Sequence, residues 1–111
     1  MNQTNRFTGK TAIVTGGAGG IGTAICQRLA GEGAFVVVTD TNAENAHKVA
    51  ADIVASGGSA IAIPADISSE SACTDLIAQA FELRDQIDIL VNNAGIMRRG
   101  NILDISVDDW N

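Results

Sequence analysis

The sequence predicts an α/β fold, a doubly wound parallel sheet with helices on both faces. Three observations point there. Short apolar runs alternate with longer helical patterns in the order βαβαβαβ. The runs are apolar nearly throughout, as strands covered on both faces must be. Five glycines within eight residues mark the junction between the first run and the first helical pattern.

Taken in order, Thr11-Ala12-Ile13-Val14-Thr15 reads as the first strand. A helix from about Gly20 to Glu32 follows, with Ile21, Ala24, Ile25 and Leu29 at the spacing of one helical face. Gly31 and Gly33 end it, and Phe35-Val36-Val37-Val38-Thr39 is the second strand. Asn42 is the expected N-cap of a helix stopped by Gly57-Gly58. Ala60–Ile63 is the third strand. Ser68 or Ser69 caps a helix reaching about Asp85, with Glu70 favourable in its first turn. Ile87–Val91 is the fourth strand, and Ser106 to Asn111 reads as a helix just starting. Right-handed crossovers leave very few topologies for this order. The expectation is one domain over residues 1–111, incomplete after the fourth strand.

Composition narrows the function classes. At 111 residues the chain supports one small core, and 46% hydrophobic against 18% charged residues excludes a disordered acidic tail. Seven basic and 13 acidic residues give a net charge of −6, with no basic stripe to displace counterions from a polyanion, so no nucleic-acid partner is expected. No run approaches the ~18 apolar residues of a membrane span. The opening MNQTNRFTGK carries no apolar leader, and a cytoplasmic, membrane-free protein is expected. Cys26 and Cys73 stand far apart without metal-ligand spacing and are expected to be buried, reduced thiols. No metal site is expected. His47, beside Glu44 and Lys48, falls on an outer helix surface.

The glycine-rich turn, Thr15-Gly16-Gly17-Ala18-Gly19-Gly20-Ile21-Gly22, stands between strand and helix. Binding a phosphate there needs backbone N–H groups at a helix N-terminus, and no Cβ where the backbone approaches the ligand. Two registers fit: Gly17-x-Gly19-x-x-Gly22, the general dinucleotide fingerprint, and Gly16-x-x-x-Gly20-x-Gly22, a variant spacing. A P-loop is excluded, because Thr23 stands where its lysine belongs. The bland alternative is a flexible connection.

Asp40 ends the second strand, 18 residues beyond Gly22 and close to the spacing of a ribose-binding acid. Its carboxylate accepts hydrogen bonds from ribose hydroxyls and repels a 2′-phosphate. No cation occupies Gly17, Ala18 or Thr41, so the pattern favours NAD(H) over NADP(H). Asp66, in Pro64-Ala65-Asp66-Ile67, lies at the carboxyl end of the third strand. By the crevice rule that is the adenine end of a dinucleotide site. The alternative role for Asp66, capping the next helix, is equally open at this point.

At the end of the fourth strand stands Asp88-Ile89-Leu90-Val91-Asn92-Asn93-Ala94-Gly95. Together with the glycine-rich turn, this segment resembles the short-chain dehydrogenase/reductase family, from Gly9-Lys10 to Trp110. The resemblance implies a Rossmann-type doubly wound parallel sheet, truncated here after its fourth strand. It also favours the register of Gly16, Gly20 and Gly22, with Ile21 between them at the cofactor. It further implies that Asp66 bonds the adenine amino group, that the Ile67 backbone contacts the ring, and that Asn92, Ala94 and Gly95 flank the adenosine ribose. Asn93 would tie the strand to its neighbours. The cofactor implied is NAD.

The same resemblance implies an NAD-dependent oxidoreductase, moving hydride between NAD(H) and an alcohol or carbonyl substrate such as a sugar acid, polyol or 3-oxoacyl compound. Its proton chemistry uses a Tyr, a Lys four residues on and an upstream Ser, all after the fourth strand. This sequence contains no tyrosine, and its two lysines, Lys10 and Lys48, come early. No catalytic residue is therefore assigned, and no turnover is expected from these residues alone. The competing reading is an inactive nucleotide-binding or interaction module. Arg98-Arg99, after the Asn-Asn-Ala-Gly segment, reads either as a site for an anionic substituent or as a solvated loop. Trp110 is expected on the buried face of the last helix. Homo-oligomers are usual in the family. With no further strand beside it, the fourth strand is expected to be an exposed apolar edge that promotes association.

Overall fold

The computed structural model describes residues 6–92. Four strands form where β-branched and small apolar residues run together: β1 (Thr11–Thr15), β2 (Phe35–Thr39), β3 (Ser59–Ala62) and β4 (Ile89–Asn92). Three helices connect them: α1 (Gly20–Gly31), α2 (Ala43–Ala55) and α3 (Glu70–Arg84). All pairings are parallel in the order β3-β2-β1-β4, with Ile13 level with Val37 on one side and Leu90 on the other. The doubly wound expectation holds.

Alternation along the strands divides the core in two. Ala12, Val14, Val36, Val38, Ile89 and Val91 face Cys26 and Leu29 of α1 and Val49 and Ile53 of α2. Ile13, Val37 and Leu90 point the other way, onto Leu76 and Ala80 of α3. Both faces of the two central strands are therefore dry, which explains their near-continuous apolar sequence.

Helix boundaries follow local chemistry. Asn42 caps α2 by accepting from Asn45 N–H at 3.0 Å. Ser69, rather than Ser68, caps α3, accepting from Ala72 N–H at 3.2 Å. The carboxylate of Glu32, at the C-cap of α1, is only 6% exposed and is clamped by Arg6 and Arg28. Its carbonyl accepts from Phe7 N–H at 2.8 Å, so the segment before β1 is tied to the end of α1.

Four expectations need correction. The buried face of α1 is Gly22, Cys26 and Leu29; Ile21 is 65% exposed, Ala24 is exposed and Ile25 only half-buried. The close seating of Gly22 on the turn sets the rotation of the helix, overriding the apolar periodicity. β3 runs from Ser59 to Ala62 and stops short of Ile63, just ahead of Pro64, although Ile63 N–H still donates to the Val38 carbonyl at 3.0 Å. β4 begins at Ile89 rather than Ile87, because Asp88 closes the sheet end itself. Its N–H donates to the Thr11 carbonyl at 2.9 Å and its carboxylate accepts from Thr11 N–H at 2.8 Å. Finally, Cys26 is fully buried, but Cys73 is only partly so. His47 is exposed, as expected.

Candidate functional site

The carboxyl ends of all four strands lie along one edge of the sheet, with β1 at the point where chain order reverses between β2 and β4. Crevices for ligands form outside such points, because the flanking helices leave on opposite faces. The glycine-rich turn follows β1, Asp40 follows β2, Asp66 and Ile67 follow β3, and Asn92 closes β4 opposite Thr15. The fold thus collects along one edge candidates spread over 77 residues of sequence.

Each glycine of the turn has its own reason. Gly16 adopts φ +64°, which an L side chain rarely tolerates. A Cβ on Gly22 would lie 1.9 Å from the Gly16 carbonyl oxygen and 2.9 Å from Gly17 Cα, so only glycine lets α1 start this close to β1. Gly17 is a packing glycine, its missing Cβ replaced by Val38 Cγ1 and Cys26 Sγ. Gly20 is different: nothing lies within 4 Å of the place its Cβ would occupy. Gly16, Gly17 and Gly22 are thus held to glycine by the chain itself, whereas Gly20 faces open space.

Backbone bonds hold the turn in this shape. Gly17 N–H donates to the Thr39 carbonyl at 2.9 Å, and Gly19 N–H to the Gly16 carbonyl at 3.2 Å. The Thr23 hydroxyl donates to the Gly17 carbonyl at 3.3 Å. Gly19 is the N-cap of α1 and has no side chain to offer its first N–H groups, and no acidic residue stands in the first turn. The opening amides of α1, at Gly20, Ile21 and Gly22, have no helical acceptor. Together with the helix dipole they make an electropositive spot suited to an anion. The exposed Ile21 side chain stands beside it.

Asp40 is half-buried at the lip of this spot. Its Oδ2 accepts from Ala18 N–H at 3.1 Å and its Oδ1 from Asn42 N–H at 3.0 Å. The Asp40 carbonyl accepts from Ala65 N–H at 3.2 Å, which brings the Asp66 segment alongside. Asp66 is exposed and does not cap α3. Its Oδ1 takes the Ser68 hydroxyl at 2.6 Å and the Ser68 N–H at 3.0 Å, and these two bonds hold its carboxyl below the usual carboxylate range. Ile67 is buried, and its carbonyl accepts from the Cys73 thiol at 3.3 Å. Burial pushes that thiol up, with Asp66 and Glu70 adding to the effect. Beneath the turn, burial alone pushes Cys26 up to about 12.

Two features escaped the sequence. Thr39 is fully buried at the end of β2, and its hydroxyl has no hydrogen-bond partner among the described residues. The Asp40–Ala18 bond was also unforeseen; a carboxylate placed one residue past a strand, level with a turn after the adjacent strand, is the signal that carries it. Asn93, Ala94, Gly95, Arg98-Arg99, Trp110 and the helix expected from Ser106 lie outside the described residues. So does the Asn92 side chain. Among the described residues no group of His, Cys, Asp and Glu forms a metal site, and no helix is long and apolar enough to cross a membrane. β4 pairs only with β1 among these residues.

What this edge defines is an α/β protein of the doubly wound class, with a crevice at its topological switch point. The family model for short chain dehydrogenases matches residues 10–111, and the chain belongs to that family. It is 42% identical over 107 residues to the 2,5-dichloro-2,5-cyclohexadiene-1,4-diol dehydrogenase of Sphingobium indicum, covering 96% of this chain and 43% of that one. A solved 7α-hydroxysteroid dehydrogenase complexed with NADH and 7-oxo glycochenodeoxycholic acid superposes with a TM-score of 0.78 at 43% identity, over 81% of this chain and 35% of the other. A metagenomic short-chain oxidoreductase in complex with NADP superposes at 0.77 with 38% identity, over 81% and 41%. The chain thus spans about two fifths of the length of such relatives.

Proposed function

We propose that these residues form the NAD-binding part of an oxidoreductase that moves hydride between NAD(H) and an alcohol or carbonyl compound. The observation that carries the reading is the Asp40 carboxylate, bonded to Ala18 N–H beside the uncapped start of α1. The pyrophosphate would sit on the opening amides of α1, where Gly20 leaves room and Gly16 and Gly22 let strand and helix meet. Each carboxylate oxygen of Asp40 has a second acceptor position for a ribose hydroxyl. Asp66 Oδ2 has no partner among the described residues and would accept from the adenine amino group, with the Ile67 backbone against the ring. Asn92, Ala94 and Gly95 complete the adenosine ribose site in this reading.

Hydride transfer is the chemistry such a cofactor supplies when bound. The roles of Gly16, Gly20, Ile21, Gly22, Asp40, Asp66 and Ile67 are to bind and orient it. No residue of this sequence is assigned the proton transfer.

The choice of NAD over NADP rests on charge. A 2′-phosphate would meet the Asp40 carboxylate at short range, with no Arg or Lys at Gly17, Ala18 or Thr41 to offset it. Relatives with NADH and with NADP are both known, so family membership leaves the choice to these residues. Calorimetric titration of the intact protein is expected to show NADH binding roughly tenfold or more tighter than NADPH, one tenfold step being about 1.4 kcal/mol. Equal affinity, or a preference for NADPH, refutes the assignment of Asp40.

A further inference from the structure

Asp40 does more than face a ribose. Its two oxygens hold two different loops, Ala18 of the glycine-rich turn at 3.1 Å and the Asn42 cap of α2 at 3.0 Å. Its carbonyl holds a third, Ala65, ahead of Asp66. The Ala18 N–H lies mid-turn, between a Gly17 N–H bonded to the Thr39 carbonyl and a Gly19 N–H bonded back to Gly16. Of these three consecutive amides, only Ala18 is held by a side chain. A carboxylate is the strongest acceptor available there, and a bond to a charged group is stronger than one between neutral groups.

From this geometry we infer that Asp40 is a positioning residue for the pyrophosphate-binding turn, acting through the Ala18 amide, as well as a ligand of the ribose. The inference rests on the cofactor reading above and deepens it. The two halves of the dinucleotide site are mechanically joined: the group that selects the ribose also sets the direction of the amides that receive the phosphates. Preorganised donors bind an anion more tightly than donors that must first be ordered. Replacing Asp40 to admit a 2′-phosphate therefore loosens the turn as it removes the repulsion.

The test uses the intact protein and two readouts. Without cofactor, Asp40→Ala is expected to speed hydrogen exchange at the Ala18 amide about tenfold or more, while the Gly17 amide, held by the Thr39 carbonyl, stays protected. Nicotinamide mononucleotide, which carries one phosphate and no adenosine ribose, is expected to lose about fivefold in affinity for the variant. Unchanged exchange at Ala18, or mononucleotide binding that is unchanged or improved by loss of the negative charge, overturns the inference. A wild-type protein that binds neither NAD nor the mononucleotide, while Ala18 still responds to Asp40→Ala, refutes the cofactor reading and upholds the tie between Asp40 and the turn. Should Asp40→Ala fail to fold, Asp40→Asn serves. Its single amide oxygen can keep the local bond to Asn42 N–H while its NH2 group faces Ala18 N–H, so the Ala18 amide is expected to exchange faster, and unchanged exchange at Ala18 overturns the inference here too.

Discussion

Replacing Gly22 by alanine separates the packing role of the turn from its binding role. The new Cβ falls 1.9 Å from the Gly16 oxygen, more than an ångström inside the 3.0 Å that real Cβ atoms respect, and 2.8 Å from the Gly16 carbonyl carbon. Both obstacles are backbone, so no side chain can swing away. Either α1 or the turn must shift, and overpacking of this kind costs about 1–3 kcal/mol. Alanine's better helix propensity returns at most about 1 kcal/mol, and less so close to the helix start. Gly22→Ala in the intact protein is therefore expected to lose roughly 2 kcal/mol, read as a lower urea midpoint at unchanged slope. Gly20→Ala is the control. Nothing lies within 4 Å of its Cβ, so its stability should stay within about 0.5 kcal/mol of wild type. Its cofactor affinity should nonetheless fall, because the methyl group occupies the open space assigned to the pyrophosphate. A Gly22→Ala protein as stable as wild type refutes the packing argument, and a Gly20→Ala protein that binds NADH normally refutes the placement of the phosphates.

Thr39→Val removes a buried hydroxyl that has no partner among the described residues and keeps the β-branched shape. It is expected to raise the urea midpoint by the equivalent of about 1 kcal/mol, and a loss of stability shows that the hydroxyl is satisfied in solution. In the native protein a thiol reagent should modify Cys73 first, and Cys26 only after denaturation, since Cys26 is fully buried and pushed up to about 12. Mass spectrometry of the labelled peptides decides the order. Ser68→Ala removes the hydroxyl bond that depresses Asp66 below its ordinary value of 3.8. Because a depressed carboxyl stabilises the fold above its unfolded value, the variant should be less stable at neutral pH. The difference should close as pH falls through the depressed value of wild-type Asp66. Urea midpoints taken across that range check it, and a gap that widens in acid contradicts the sign.

Much of the fold is legible locally. Apolar runs without alternation place the strands, Asn42 marks its cap, and a glycine cluster between strand and helix marks the turn. What misleads is periodicity where another contact overrides it. Ile21 and Ala24 fit an apolar stripe, yet the seating of Gly22 on Gly16 rotates them outward. Ile87 looks like strand, yet the Asp88 carboxylate ends the ladder on Thr11.

Residue order alone therefore gives the layered α/β class, through the apolar runs and the glycine-rich turn, and its two long motifs carry the resemblance to the family and the candidate binding residues that the resemblance implies. Only tertiary structure decides how those residues meet. Asp40 reaches Ala18 across 22 positions, Arg6 reaches Glu32 across 26, and Asp88 reaches Thr11 across 77. Each contact depends on which strands lie side by side and at what register, and those are properties of the sheet rather than of any single segment.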